Sequence, residues 1–290
     1  MTITAKTKPK PSKIPVLPKH ITRMSRTQAK ADTGQRFFFG ITPLRVRLDA
    51  VKLGLPKWEQ EVVSQHMAAA AKEFLHLSHI HYKTYVWDTQ HIYGKMPSFL
   101  FNREGQFVFT SQPGITPFNA IMGVWNTREL IIIECSIALQ LIYYKAMIDC
   151  LGSARFNEYV SDTGIILEAK TTQKNPLIRY VHYINHDWQS VVENPDDQLQ
   201  QLSIGDVVYM VNIPPYITRH PRGDSRGFNL VYVGNDANGE YLFSGLFTYK
   251  RQYRYDELID LLVEDYNKAP IPGFRTDNVP PIDLNRLHIP

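Results

Sequence analysis

The sequence predicts an α+β chain in which one long helix lies on an antiparallel sheet, and two observations point there. Leu130 to Cys150, LIIIECSIALQLIYYKAMIDC, opens on four apolar residues and then sets Glu134 and Cys135 side by side before a run that reads helical. Further on, three strand-like segments (Val207 to Val211, Phe228 to Val233, and YLFSGLF from Tyr241) follow one another with turn residues between them. Three such strands make a meander, and a meander is a natural sheet for an apolar helix to rest on.

At 290 residues and 43% apolar composition the chain has enough material for one well-buried domain. No stretch runs to about eighteen uninterrupted apolar residues and the N-terminus lacks an apolar signal-peptide core, so neither a membrane span nor standard secretion is expected; an intracellular address is. The net charge of +4 is unevenly placed. Residues 1–36 hold nine Lys or Arg against the single acid Asp32, which leaves the body mildly acidic and argues against a nucleic-acid-binding body. The segment KTKPKPSKIPVLPK cannot bury enough apolar surface to offset ordering, so 1–36 is expected to be a disordered, solvated tail. Contact with an anionic surface is the functional alternative for it.

Order is expected from Phe37, with Ile41 to Leu48 alternating in the period of a strand. Pro56 suits the first position of a helix to about Leu77, with Trp58, Val62, Phe74 and four alanines from Ala68 as packing surface. His76, His79 and His81 invite a metal reading, but no Cys accompanies them and no interposed Glu matches a zinc-enzyme helix, so no metal is expected. From Tyr82 the text turns strand-like. Phe99, Phe101, Phe107 and Phe109 flank Asn102 to Gly105 as a β-hairpin, and Phe118 to Val124 forms a short helix or turn.

In the central stretch, branching at Cβ makes Leu130 to Ile133 an extended lead-in and places the helix start near Glu134. Cys135 then falls in the first turn, where unpaired backbone N–H groups and the helix dipole favour a thiolate. Two readings compete with this. Free cysteine is commonly a buried packing residue, and a helix capped earlier by Thr127 would leave Cys135 in mid-helix. Against them stands Glu134, since a carboxylate in so apolar a run calls for a partner or a task. Cys135 and Cys150 lie fifteen residues apart on one helix, about 22 Å, so both are expected to be free thiols.

Gly152 ends the helix, and Ala154 to Val160 adds a further turn or two. Strands follow at Gly164 to Leu167 and Tyr180 to Ile184, then a polar connector at 194–201 and the meander. Tyr255 to Tyr266 is an amphipathic helix, and 269–290 a Pro-rich arm. The domain is thus 37–268.

Taken together, IIECSIALQLIYYKAMIDCLGSARFN resembles the small bacterial transglutaminases of the spore-coat type, which show Phe-Glu-Cys-Ala-Thr-Ala, then Ile-Tyr-Tyr, Ile-Asp, Gly and Lys-Phe-Asn. Downstream the likeness takes in His186-Asp187-Trp188, Gly205-Asp206, Arg226-Gly227, Asn229, Gly234 and Gly245, so that roughly 60–250 is covered. The resemblance implies a papain-like fold and a calcium-independent crosslinking enzyme that uses no cofactor and acts on protein substrates, a glutamine donor and a lysine acceptor. It implies Cys135 as nucleophile, with Glu134 and Asn229 among the catalytic positions.

The sequence also departs from that pattern. Where the family places its main catalytic Glu, after Arg-Gly, stands Phe228, and the family's His on the next strand is replaced by Ser244. His220 or Asp224 in the preceding loop are the candidate substitute bases. Two alternatives to a transglutaminase follow: a catalytically degenerate interaction protein on the same scaffold, and a papain-like amidase or peptidase that uses water in place of the amine.

Overall fold

The computed structural model describes residues 41–82, 96–102, 108–161, 164–168, 175–184, 199–212, 216, 220, 226–245 and 251–268. The expected tail, the hairpin turn, His186-Asp187-Trp188, most of the polar connector, Asp224 and the Pro-rich arm lie outside these.

Six strands form the main sheet, in the order β11-β10-β9-β8-β1-β7, with every neighbouring pair antiparallel. They are β1 (Ile41–Leu48), β7 (Val181–Ile184), β8 (Val207–Val211), β9 (Gly227–Asn235), β10 (Tyr241–Ser244) and β11 (Tyr253–Arg254). The meander expected from the sequence is β8-β9-β10. Its free edge is taken by β1, which pairs Val46 with Val207 across most of the chain, a long-range pairing that no local pattern announces. Two smaller sheets complete the strands. β2 (Ile80–Tyr82) and β5 (Ile131–Ile133) pair in parallel; the hairpin of β3 (Phe99–Asn102) and β4 (Val108–Ser111) is joined by β6 (Ile166–Glu168).

Alternation along β9 divides the molecule into layers. Val231 and Val233 join a core shared with helices α1 (Gln60–Leu75), α2 (Pro117–Asn126) and α3 (Cys135–Val160), while Leu230 and Tyr232 join a second cluster with Leu258 and Leu262 of α4 (Tyr255–Asn267). The chain is therefore α+β, with helices on both faces of the sheet. Helix α3 is buried from Ile137 to Ile148 except at Leu139, and the buried set includes Gln140 and Lys145. Lys145 runs its stem out of the core and places its ammonium 2.7 Å from Asp149 and 3.2 Å from Glu73. Gly152, at φ 73°, breaks α3, and the chain resumes helix beyond it, as expected. Both cysteines are free. No helix among the described residues is long and apolar enough to cross a membrane.

One expectation is corrected. Trp58 is 76% exposed and Val62 is exposed too, so neither packs. The buried stripe of α1 runs through Val63, Met67, Ala70, Ala71 and Phe74, which turns Val62 outward, and Trp58 sits in the 3-10 turn Lys57–Glu59 ahead of the helix.

The start of β8 is fixed by charge. Asp206, fully buried, receives Arg47 Nε at 2.7 Å and Nη2 at 3.1 Å, lies 3.4 Å from Arg45 Nε, and accepts the Ser203 N–H at 2.9 Å. Removing one member of such a group leaves the others desolvated and unpaired. Asp206→Ala is expected to cost about 3–5 kcal/mol of unfolding free energy, read as a fall in the denaturant midpoint.

Candidate active site

The short strand β5 delivers the chain to α3 in the way the β-branched lead-in predicts, and Glu134 is the residue at the junction. Its backbone is extended (φ −101°, ψ 171°), and its side chain folds back to cap the helix. Oε1 accepts the backbone N–H groups of Ser136 at 3.0 Å and Ile137 at 3.1 Å, together with the Ser136 hydroxyl. The partner that a buried carboxylate requires is thus the helix's own first turn.

Oε2 faces the neighbouring sulfur: Cys135 Sγ donates to it at 3.5 Å. From the opposite side Asn229 Nδ2, on β9, donates to the same sulfur at 3.1 Å. The sheet therefore brings Asn229, ninety-four residues on, to the thiol. Tyr209 stands beside Asn229 in register on β8, with its ring over Gly227, where an added Cβ would come within 2.6 Å of it. The added Cβ would also meet the Met210 carbonyl oxygen at 2.6 Å, a backbone atom that cannot swing aside as the ring can. No motif in the sequence marks Tyr209, although alternation from Val207 through Tyr209 puts it on the face that carries Asn229.

Burial governs the ionisation of this group. Desolvation first, and then the Glu134 charge, push the Cys135 thiol up to about 12; the Asn229 hydrogen bond acts the other way and loses. The expected thiolate at a helix start is not favoured here, because burial strips the sulfur of water and the capping carboxylate adds a negative charge beside it while occupying two of the helix's N–H groups. Desolvation also raises the Glu134 carboxyl, against the hydrogen bonds it accepts. Tyr209 is pushed up to about 12 as well, by burial and then by Cys135. Burial thus favours the neutral form of the thiol and raises the proton affinity of the carboxyl beside it.

A pocket of about 140 Å³ opens next to Ser136 and Asn229, the neighbours of Cys135; the thiol itself is not part of its lining. Ser136, Gln140 and Tyr143 line it from α3, Tyr209 and Asn229 from the sheet, and aliphatic side chains with Tyr183 fill the rest of its wall. The Tyr143 hydroxyl is buried and has no hydrogen-bond partner among the described residues. Gln140 ties β6 to the helix: its Nε2 donates to the Glu168 carbonyl at 2.6 Å, and its Oε1 accepts from Glu168 N at 2.9 Å and from Asn175 Nδ2 at 3.0 Å.

The remaining candidates lie elsewhere. His220 is buried with its Nε2 2.9 Å from the Tyr266 carbonyl and its ring stacked on Tyr216, so it is engaged with α4 and not with Cys135. Asp224 lies outside the described residues. Ser244, fully buried, shares the inner face through its register with Val231 and donates to the Ala71 carbonyl of α1 at 2.9 Å. Phe228 packs against the second cluster, on the face opposite Asn229. A carboxylate introduced there would enter that apolar layer instead of meeting the thiol. Phe228→Glu is accordingly expected to lower stability by about 2 kcal/mol or more with no gain in amine incorporation, checked by denaturant melts and by uptake of a fluorescent primary amine. Among the described residues no three His, Cys, Asp or Glu side chains converge as metal ligands would.

The family model described as protein-glutamine gamma-glutamyltransferase matches residues 63–269. Among solved structures, a transglutaminase from Geobacillus stearothermophilus (without C-terminal extension) is similar at 19% identity, over 73% of this chain and 85% of that one, with a TM-score of 0.49. No curated protein matches the sequence.

Proposed function

Because the chain belongs to the protein-glutamine gamma-glutamyltransferase family, we propose that it joins glutamine and lysine side chains of protein substrates through a thioester on Cys135. The observation that carries this reading is the contact set at one sulfur, with a carboxylate at 3.5 Å and a side-chain amide at 3.1 Å.

The chemistry balances with no redox step. As Sγ attacks the glutamine amide carbon, its proton passes to Glu134 Oε2. The C–N bond then breaks, and the nitrogen takes that proton and leaves as ammonia. A neutral lysine amine attacks the thioester, gives a proton to Glu134, and the sulfur departs to be reprotonated. Charge on the tetrahedral oxygen needs donors. The N–H groups of Ser136 and Ile137 are already committed to Glu134, which leaves the Cys135 N–H and the Asn229 amide for that role. Glu134 serves both half-reactions, so one carboxyl does the work that the related pattern divides with the positions held here by Phe228 and Ser244.

A second reading, a degenerate interaction module, is favoured by the packing roles of Phe228 and Ser244. Incorporation of a fluorescent primary amine into a glutamine-rich protein separates the readings. Label on the donor, with ammonia released in step, supports the transferase. Ammonia without label identifies the amidase, and neither product leaves the interaction module.

A further inference from the structure

Tyr143 lies two turns beyond Ser136 on α3, and with Leu139 and Gln140 between them the four residues form one stripe of the helix. That stripe is the helical wall of the pocket next to Ser136 and Asn229. About 10 Å of helix separates its ends. No residue of the pocket wall is a carboxylate or a cation; aliphatic side chains share it with tyrosines, two amides and a serine. A charged side chain placed there would be desolvated without a counter-charge.

The Tyr143 hydroxyl is buried and has no hydrogen-bond partner among the described residues. Of the buried polar atoms in that condition, it is the one that belongs to the pocket wall. Burial holds this phenol well above its ordinary range, so it keeps its proton to donate. An unpaired buried hydroxyl destabilises the free protein, and a ligand that supplies the partner offsets that cost.

We propose that this pocket selects the residue beside the reactive glutamine of the protein substrate, and that the Tyr143 hydroxyl pairs with that residue's side chain, which is uncharged, apolar along its length and polar at its tip, as tyrosine is. Asn229 couples the two sites, since it lines the pocket and also donates to Cys135 Sγ at 3.1 Å. A glutamine at the sulfur and a side chain in the pocket therefore come from neighbouring residues of one peptide. The inference rests on the acyl-transfer reading above and names a substrate class for it.

Peptides in which glutamine is preceded or followed by tyrosine, phenylalanine or aspartate test it in two ways: kcat/KM for incorporation of a fluorescent amine, and binding to Cys135→Ser, where no thioester forms. Wild type should favour the tyrosine peptide over the phenylalanine peptide by about fivefold, the effect of one neutral hydrogen bond, and take the aspartate peptide least well. In Tyr143→Phe the tyrosine-to-phenylalanine ratio falls to about one, while the protein melts at or above the wild-type temperature because the unpaired hydroxyl is gone. Tyr144→Phe is the matched control: the next residue on the helix is as deeply buried but lies outside the pocket wall, so its change leaves the ratio at the wild-type value. A ratio that Tyr143→Phe leaves unaltered in both turnover and binding would overturn the inference. So would an effect of Tyr143→Phe confined to the KM of the amine, which would give the pocket to the acceptor. If no peptide turns over while Cys135→Ser still binds the tyrosine peptide selectively through Tyr143, the acyl-transfer reading falls and the pocket assignment stands.

Discussion

Cys135→Ser should reduce incorporation of the fluorescent amine to background, a loss of about 10⁴-fold or more, while the protein melts within a few degrees of wild type. The substitution is close to isosteric. Serine can still accept from Asn229 and donate to Glu134, so the cap on α3 and the contact between helix and sheet persist. What is lost is a nucleophile whose proton a buried carboxylate can remove, since an alkoxide is far harder to form than a thiolate. Cys150→Ser is the matched control. That thiol is also pushed up to about 12, by burial and then by Asp149 and Glu59, and it sits on the same helix with, among the described residues, no amide donor of the kind Asn229 supplies to Cys135. Activity that survives Cys150→Ser and not Cys135→Ser would assign the chemistry to the neighbours of the sulfur and not to its resting ionisation, which is alike at the two positions. Equal activity in wild type and Cys135→Ser would rule out a Cys135 thioester.

The parts of this site that could be read from sequence are those that local chemistry dictates. Three consecutive isoleucines followed by a helical run place a strand end and a helix start within one residue of Glu134, and β5 and α3 meet there. Turn residues at Asn235 to Gly239 separate β9 from β10, as expected of a meander. Long-range pairing is another matter. Nothing within β1 says that it will lie beside β8, and the Arg45-Arg47-Asp206 cluster that fixes this edge is assembled from residues about 160 positions apart. The sign of the thiol shift was illegible for a related reason. Tertiary packing buries the sulfur, which is the larger effect, and the carboxylate next to the cysteine adds its charge while claiming two of the N–H groups at the helix start. Adjacent residues at a helix cap need not diverge: Glu134 precedes the first helical residue, and its side chain folds back across Cys135 to reach the N–H groups beyond.

Glu134→Gln should lower kcat by about 10²–10⁴-fold while stability holds or rises at pH 8. The amide oxygen of glutamine can still accept the Ser136 and Ile137 N–H groups, so the cap survives, but it cannot accept the thiol proton at neutral pH. The sign of the stability effect follows from linkage. Burial raises the Glu134 carboxyl above its usual 4.5, so the folded protein holds this proton more tightly than the unfolded chain. The contribution of Glu134 to stability is therefore greatest below 4.5 and declines as pH climbs through the raised folded value. At pH 8 the carboxylate is buried at a cost that glutamine does not carry. In kinetics the same shift reads the other way, because the ionised form is the working base. Wild-type activity should fall on the acid side at a pH above the ordinary carboxylate range, and whatever residual rate Glu134→Gln retains should lack that limb. Thermal melts at pH 5 and pH 8, set beside pH–rate profiles of both proteins, test the two halves together. A variant that melts lower than wild type at pH 8 and keeps the acid limb would show that Glu134 is a structural cap and that the base lies elsewhere.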